Sequence, residues 1–142
     1  IKNKHGLVIG EHTAEKIKME LGTALRVDDP ETMDVRGRDV ATGMPKQITV
    51  NENEIEEALH DTLEQIVSAA VNVLETIPPE LASDIIDRGI MLTGGTSLLK
   101  GVDQLFSARL KVPVVVSQDP LDNVAKGAGE MLERMQKTER KK

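Results

Sequence analysis

The sequence predicts an α/β fold, and three observations carry that expectation. Ile90, Met91 and Leu92 form an apolar run too short for a helix, followed by the glycine pair Gly94-Gly95 and then an apolar-periodic segment. Val112-Pro-Val-Val-Val116 reads as a second short buried strand, with Pro113 near its start, where it is tolerated. Strand, helix and strand in that order make a parallel βαβ unit. Third, Ile55, Leu59, Leu63, Ile66, Ala70, Val73 and Ile77 recur at spacings of three and four, one continuous stripe on a long helix.

Leu7-Val-Ile-Gly10 is a short apolar patch ending in glycine. Thr13 then reads as an N-cap for a helix from Ala14 to Ala24, with Ile17, Leu21 and Ala24 on one face. Gly22 inside that helix costs about 1 kcal/mol relative to Ala, which points to close packing against a neighbour. Asp28-Asp-Pro-Glu31 is a loop. Met33 to Val40 and Gln47 to Val50 alternate around the turn-rich Ala41-Thr-Gly-Met-Pro-Lys46, a β-hairpin solvated on one face.

Asn51 with Glu54 three residues on makes a capping-box pair for the long helix. That helix runs about 26 residues, roughly 39 Å, until Pro78-Pro79 interrupts the hydrogen-bond ladder. Its stripe fits a buried core helix better than a filament contact, and Glu56, Glu57, Asp61 and Glu64 fit a solvated acidic face. Glu80 to Ile86 is a short helix closed by Gly89. Leu98 to Leu110 is a helix, with Thr96 and Ser97 as capping residues at its start. Asp119-Pro120 turns the chain, Asp122 or Asn123 caps a last helix to about Met135, and the charged end from Lys137 to Lys142 frays.

Two parallel strands make a poor sheet without neighbours and cover on both faces. The chain also begins at Ile1 rather than Met. Both facts predict a cut or processed piece of a longer protein, with further sequence ahead of Ile1.

Composition narrows the functional classes. A net charge of −6, one Phe and no Trp or Tyr argue against nucleic-acid binding, which needs a basic face and stacking rings. Without cysteine there are no disulfides or thiolate sites, as suits a reducing compartment. No apolar run reaches membrane-spanning length. His5, His12 and His60 show no metal-ligand spacing, and no nucleophile–base–acid set is arguable.

Two features carry candidate chemistry. Gly94, Gly95, Thr96 and Ser97 place a glycine turn and free N–H groups at the carboxyl edge of a strand, where α/β folds bind anions and nucleotides. The same turn is equally a tight connection with no ligand. Glu15 and Lys18 share a helix face at i, i+3, fit to hold the polar edge of a ribose or base, or simply a surface ion pair.

Several segments then occur together, in order: Ile9-Gly-Glu-His-Thr-Ala-Glu-Lys-Ile-Lys18, Val35-Arg-Gly-Arg-Asp39, Thr42-Gly-Met-Pro-Lys46, Pro78-Pro-Glu-Leu-Ala-Ser-Asp-Ile-Ile-Asp-Arg-Gly89, Leu92-Thr-Gly-Gly-Thr-Ser-Leu-Leu-Lys-Gly101 and Asp119-Pro-Leu-Asp-Asn-Val-Ala-Lys-Gly127. In this set the chain resembles the C-terminal part of the MreB/Mbl family, the bacterial actin-like cell-shape proteins, over nearly its whole length. The strand and glycine turn are shared with the wider actin, Hsp70 and sugar-kinase superfamily. The Pro-Pro-Glu-Leu and Thr-Gly-x-Pro-Lys segments are more particular to MreB-like proteins.

The resemblance implies the C-terminal half of an actin-like ATPase (ribonuclease H-like) fold. Residues 1–50 would be a small helix-and-hairpin subdomain (actin-like IIB). Residues 51–142 would be the long helix and βαβ unit (the remainder of IIA and the C-terminal helix). It implies ATP as ligand, with Mg in the parent protein, and Gly94, Gly95, Thr96, Ser97, Glu15 and Lys18 around the adenosine. Thr96 stands where the family pattern has a third glycine. The phosphate loops and the catalytic glutamate would lie ahead of Ile1, so the parent would be a slow ATPase and this piece inactive. The implied partners are further copies in filaments, together with cell-wall synthesis and membrane-linked shape proteins. The location is cytoplasmic, with membrane contact through the N-terminal half. Another actin- or Hsp70-superfamily ATPase, or an interaction module that binds no nucleotide, are the alternatives.

Overall fold

The computed structural model describes residues 1–139. A short helix α1 (Lys2–His5) leads into strand β1 (Leu7–Val8), and helix α2 (Glu11–Leu21) follows. Strands β2 (Thr32–Asp39) and β3 (Pro45–Asn51) form the expected hairpin. With β1 they make a three-stranded antiparallel sheet, β2 in the middle, with Leu7 opposite Asp39 and Val35 opposite Ile48.

Alternation in the hairpin sets its two faces. Val35 and Val50 are buried, while Asp34 and Arg36 point outward and bond across the strands to Thr49 (2.7 Å) and Gln47 (2.7 Å). Leu7, Ile17, Leu21, Val35, Val50 and Ile55 form one core cluster, between the sheet, α2 and the start of the long helix. Leu7 and Val8, from the apolar patch that ends at Gly10, are too few to show a period, yet they form the edge strand of the sheet.

Helix α2 differs from expectation at both ends. It starts after Gly10, not at a Thr13 cap, so Thr13 lies inside it. It ends at Leu21 because Gly22 turns to extended backbone. The close packing expected at Gly22 is present: a Cβ there would come within 2.6 Å of Leu99 Cδ1.

The long helix α3 (Glu52–Thr76) is 25 residues, and the Asn51 side chain accepts the Glu54 N–H at 3.1 Å. The reciprocal half of the capping box is not made, because the Glu54 carboxylate is bonded to His5 Nε2 at 2.8 Å. The second core cluster gathers Ala24, Leu63, Val67, Val102, Phe106 and Val114. The buried line along α3 therefore runs Glu52, Ile55, Glu56, Leu63, Val67, so Glu56 does not belong to the expected solvated acidic face. Ile66 and Val73, placed on the stripe by spacing, are 43% and 60% exposed. The stripe is wider than the surface that covers it.

Helix α4 (Pro79–Arg88) starts on the proline pair and ends at Gly89. Strands β4 (Ile90–Leu92) and β5 (Val114–Val116) pair in parallel, Ile90 with Val114 and Leu92 with Val116, as the βαβ reading requires. They are buried on one face only: Met91 and Val115, side by side, are 67% and 53% exposed. The connection is not one helix from Leu98. A 3-10 turn (Gly95–Leu98) comes first, the chain extends at Leu99, and α5 (Val102–Leu110) follows. Helix α6 (Asn123–Glu139) passes the expected end at Met135 and takes in Lys137 to Glu139, which the sequence expects to fray; residues 140–142 lie outside the described residues. Among the described residues no helix is long and apolar enough to cross a membrane.

Candidate nucleotide site

The glycine turn sits at the carboxyl ends of the two parallel strands. Gly94 has φ 86 and ψ 170, backbone open essentially to glycine alone. Its N–H donates to Pro120 O at 2.8 Å, and the Thr93 hydroxyl donates to the same oxygen at 3.0 Å. On the other side, Ser97 donates to Gly94 O from both its backbone N–H (3.1 Å) and its hydroxyl (2.7 Å). Asn123, the first residue of α6, donates to Ser117 Oγ at 2.6 Å and to Thr93 Oγ1 at 3.0 Å. The ends of β4, β5 and α6 are thereby tied around the turn.

These bonds change three expectations. Ser97 and Thr96 are not helix caps, because the element they open is a four-residue 3-10 turn without a side-chain cap. Ser97 is buried and its hydroxyl is used up on Gly94, so it shapes the turn from behind. Of the two cap candidates, Asp122 precedes α6 and its carbonyl accepts the Lys126 N–H at 2.9 Å, while Asn123 ties strand ends together. Thr96 is exposed, and Lys111 is the one non-glycine residue of positive φ among the described residues, so a Cβ is accommodated at the third position.

The outward face of the turn is open. A Cβ on Gly94 would meet nothing within 4 Å, and one on Gly95 only Leu121 Cδ2 at 3.6 Å. Among the described residues the N–H groups of Gly95 and Thr96 have no hydrogen-bond acceptor. A flat group carrying acceptors can therefore approach the backbone here.

Glu15 and Lys18 are both exposed on α2. Neither pairs with the other, so the simple i, i+3 ion pair is not formed; the ion pair on this helix is Lys16–Glu20 at 3.7 Å. Together with Ala14, Ile17, Ile55 and Leu59 they line a cavity of about 440 Å³ between α2 and α3. None of Gly94–Ser97 lines it. The two halves of the candidate site meet one step away. Gly22 lies four residues after Lys18 and seven after Glu15, on the same helical face, and Leu99, two residues past Ser97, packs against it. Thr23 and Lys100 then form a parallel bridge, with Ala24 N–H donating to Lys100 O at 2.8 Å.

Electrostatics reinforce this junction. Glu52 is buried and accepts from Lys100 Nζ at 2.6 Å and from the Glu31 N–H at 3.0 Å. The Lys100 ammonium, then the Glu31 N–H, hold the Glu52 carboxyl below its ordinary range. Glu52 in turn raises the Lys100 ammonium. Nothing in the sequence signalled this pair, since an acid in the first turn of a helix ordinarily answers the helix dipole. At the far end, the hairpin residue Asp39 is drawn down to about 2, first by Lys46 and then by the Thr42 N–H.

Residues 1–140 match the family model for MreB/Mbl protein. The chain belongs to the MreB/Mbl family. It is 50% identical over all its 142 residues to the cell shape-determining protein Mbl of Bacillus subtilis (strain 168), covering 43% of that protein. It is likewise 50% identical to the cell shape-determining protein MreB of Escherichia coli (strain K12), over 94% of this chain and 38% of MreB. Among solved structures, MreB5 of Spiroplasma citri bound to ADP superposes with a TM-score of 0.94 at 29% identity, covering 100% of this chain and 43% of that one. The same MreB5 bound to AMPPNP gives 0.93. A non-polymerising MamK mutant bound to AMPPNP, at 18% identity and a TM-score of 0.67, shares the fold. The architecture is thus that of the actin-like MreB proteins, and the chain spans about two fifths of the length of these relatives.

Proposed function

We propose that this chain carries the adenosine-binding side of an ATP site in an actin-like protein that assembles into filaments and directs rod cell shape. Gly94, Gly95 and Thr96 offer backbone to the adenosine, Ser97 holds the turn, and Glu15 and Lys18 face it from α2. Residues 1–50 act as the helix-and-hairpin subdomain and 51–142 as the nucleotide-bearing one. The observation that carries the reading is the open, glycine-only turn at Gly94, joined through Leu99 and Gly22 to the face that bears Glu15 and Lys18. That one relative, MreB5, holds ADP in one solved structure and AMPPNP in another supports the choice of ligand. On this reading the chain recognises adenosine and does not itself cleave phosphate. Mg, the cutting groups, cytoplasmic filaments at the membrane and cell-wall partners belong to the longer protein.

Calorimetric titration with ATP tests it. A saturable heat, weakened at least tenfold by Gly94→Ala, is expected, with no Mg-dependent phosphate release. Absence of any heat at millimolar ATP refutes the nucleotide reading. It would favour an interaction module, which one observation supports: Val124, Met131, Leu132 and Met135 on α6 are all more than half exposed.

A further inference from the structure

The structure assigns Lys100 a positioning role: its side chain and its carbonyl together set the gap between the Glu15–Lys18 face of α2 and the Gly94–Gly95 turn. The functional consequence rests on the nucleotide reading above; the geometric part stands without it.

Lys100 lies at the exit of the glycine turn, where the chain crosses from β4 to α5. Its carbonyl accepts from Ala24 N–H (2.8 Å) and, more weakly, from the Thr23 hydroxyl (3.4 Å), which fastens the turn to the end of α2. Its ammonium reaches the other way, to Glu52 Oε1 at 2.6 Å and Glu31 Oε2 at 3.3 Å. Glu52 and Glu31 are themselves cross-linked, N–H to carboxylate at 3.0 Å and N–H to carbonyl at 3.1 Å. Asn53 closes the ring with two bonds to the Val27 backbone, at 3.0 and 2.9 Å. The end of α2, the 22–31 loop, the start of α3 and the exit of the turn therefore share one residue.

Burial makes the ionic link directional. The Glu52 side chain is 4% exposed and the Lys100 side chain 50%. A carboxylate so far out of water needs a partner held in place, and Lys100 is the cation that reaches it. Without the ammonium, Ala24 N–H to Lys100 O and the Gly22–Leu99 contact still join α2 to the turn, and the buried cluster still packs α5 on α3, but the charged tie from the exit of the turn to the start of α3 is gone. The two elements that each carry half of the adenosine site then keep their apolar packing and the Thr23–Lys100 bridge but lose the charged tie that narrows their separation.

The chain has no cysteine, so a spin-label pair on Lys16→Cys and Leu98→Cys reports the gap directly, and calorimetry with ATP reports the site. The variant is Lys100→Met with Glu52→Gln, which removes the ionic tie without stranding a buried charge. Its thermal midpoint checks that the fold persists. A distance distribution at least twice as wide as that of the parent is expected, with ATP affinity at least tenfold weaker. Lys100→Arg alone restores both. An unchanged width overturns the positioning role, whether or not ATP binds. A widened distribution with unchanged affinity, in a chain that binds ATP, overturns the link to the site. A parent chain that binds no ATP overturns the nucleotide reading instead, and the distance measurement still decides the role of Lys100.

Discussion

Gly94→Ala and Gly95→Ala make the same chemical change at adjacent positions, yet the structure assigns them different consequences. At Gly94 the backbone sits at φ 86, ψ 170. An L residue held there costs about 1–3 kcal/mol. The space around the new Cβ is empty, so no steric clash adds to this. At Gly95 φ lies outside the left-handed region and the added methyl makes an ordinary 3.6 Å contact with Leu121. That change is near neutral, or stabilising by about 0.4–1 kcal/mol through a less flexible unfolded chain. For a chain of this size each kcal/mol moves the melting point by about 2–4 °C. Gly94→Ala should therefore melt about 2–12 °C below the parent, with Gly95→Ala at or slightly above it. Circular dichroism during heating and during urea unfolding measures both, and equal urea slopes confirm a common unfolded state. Equal destabilisation of the two variants, or an unshifted Gly94→Ala, would refute the assignment of strain to Gly94.

The covered line along α3 is tested by one substitution at two places. Val67→Ala, at a fully buried site, should cost about 2 kcal/mol: roughly 0.8 for each lost methyl, plus the cavity left behind. Val73→Ala, at a site 60% exposed, should stay within about 0.5 kcal/mol, and comparable losses in urea titrations would contradict the core drawn above. Asp39 gives a pH signature. Its folded pKa of about 2 lies below the ordinary 3.8, so its contribution is complete above that ordinary value and is lost as pH falls toward the folded one. Asp39→Asn should flatten the acid limb of the stability profile; a limb as steep as the parent's counts against the Lys46 pairing.

Strong local signals survived the passage from sequence to structure. The β2–β3 hairpin, the α3 start at Asn51 and the proline stop before α4 appear where alternation, capping and ring chemistry put them. What failed were judgements about cover. Spacing shows that Ile66 and Val73 lie near the apolar stripe; only the position of α5 and β5 decides that Val67 is buried and they are not. Thr13, Thr96 and Ser97 are good caps by type, yet Gly10 and the 3-10 turn took those places.

The sequence by itself determined the α/β class, the parallel order of β4 and β5, the glycine turn and the family. Each depends on neighbouring residues or on short ordered motifs. Tertiary structure alone decided which side of that turn is open, that Leu99 on Gly22 brings it to the Glu15–Lys18 face, and that Lys100 reaches Glu52. The last two facts join residues 48 or more positions apart. Chain separation hides such contacts from any local pattern, because what selects them is the burial of a carboxylate and the shape of the packed layers.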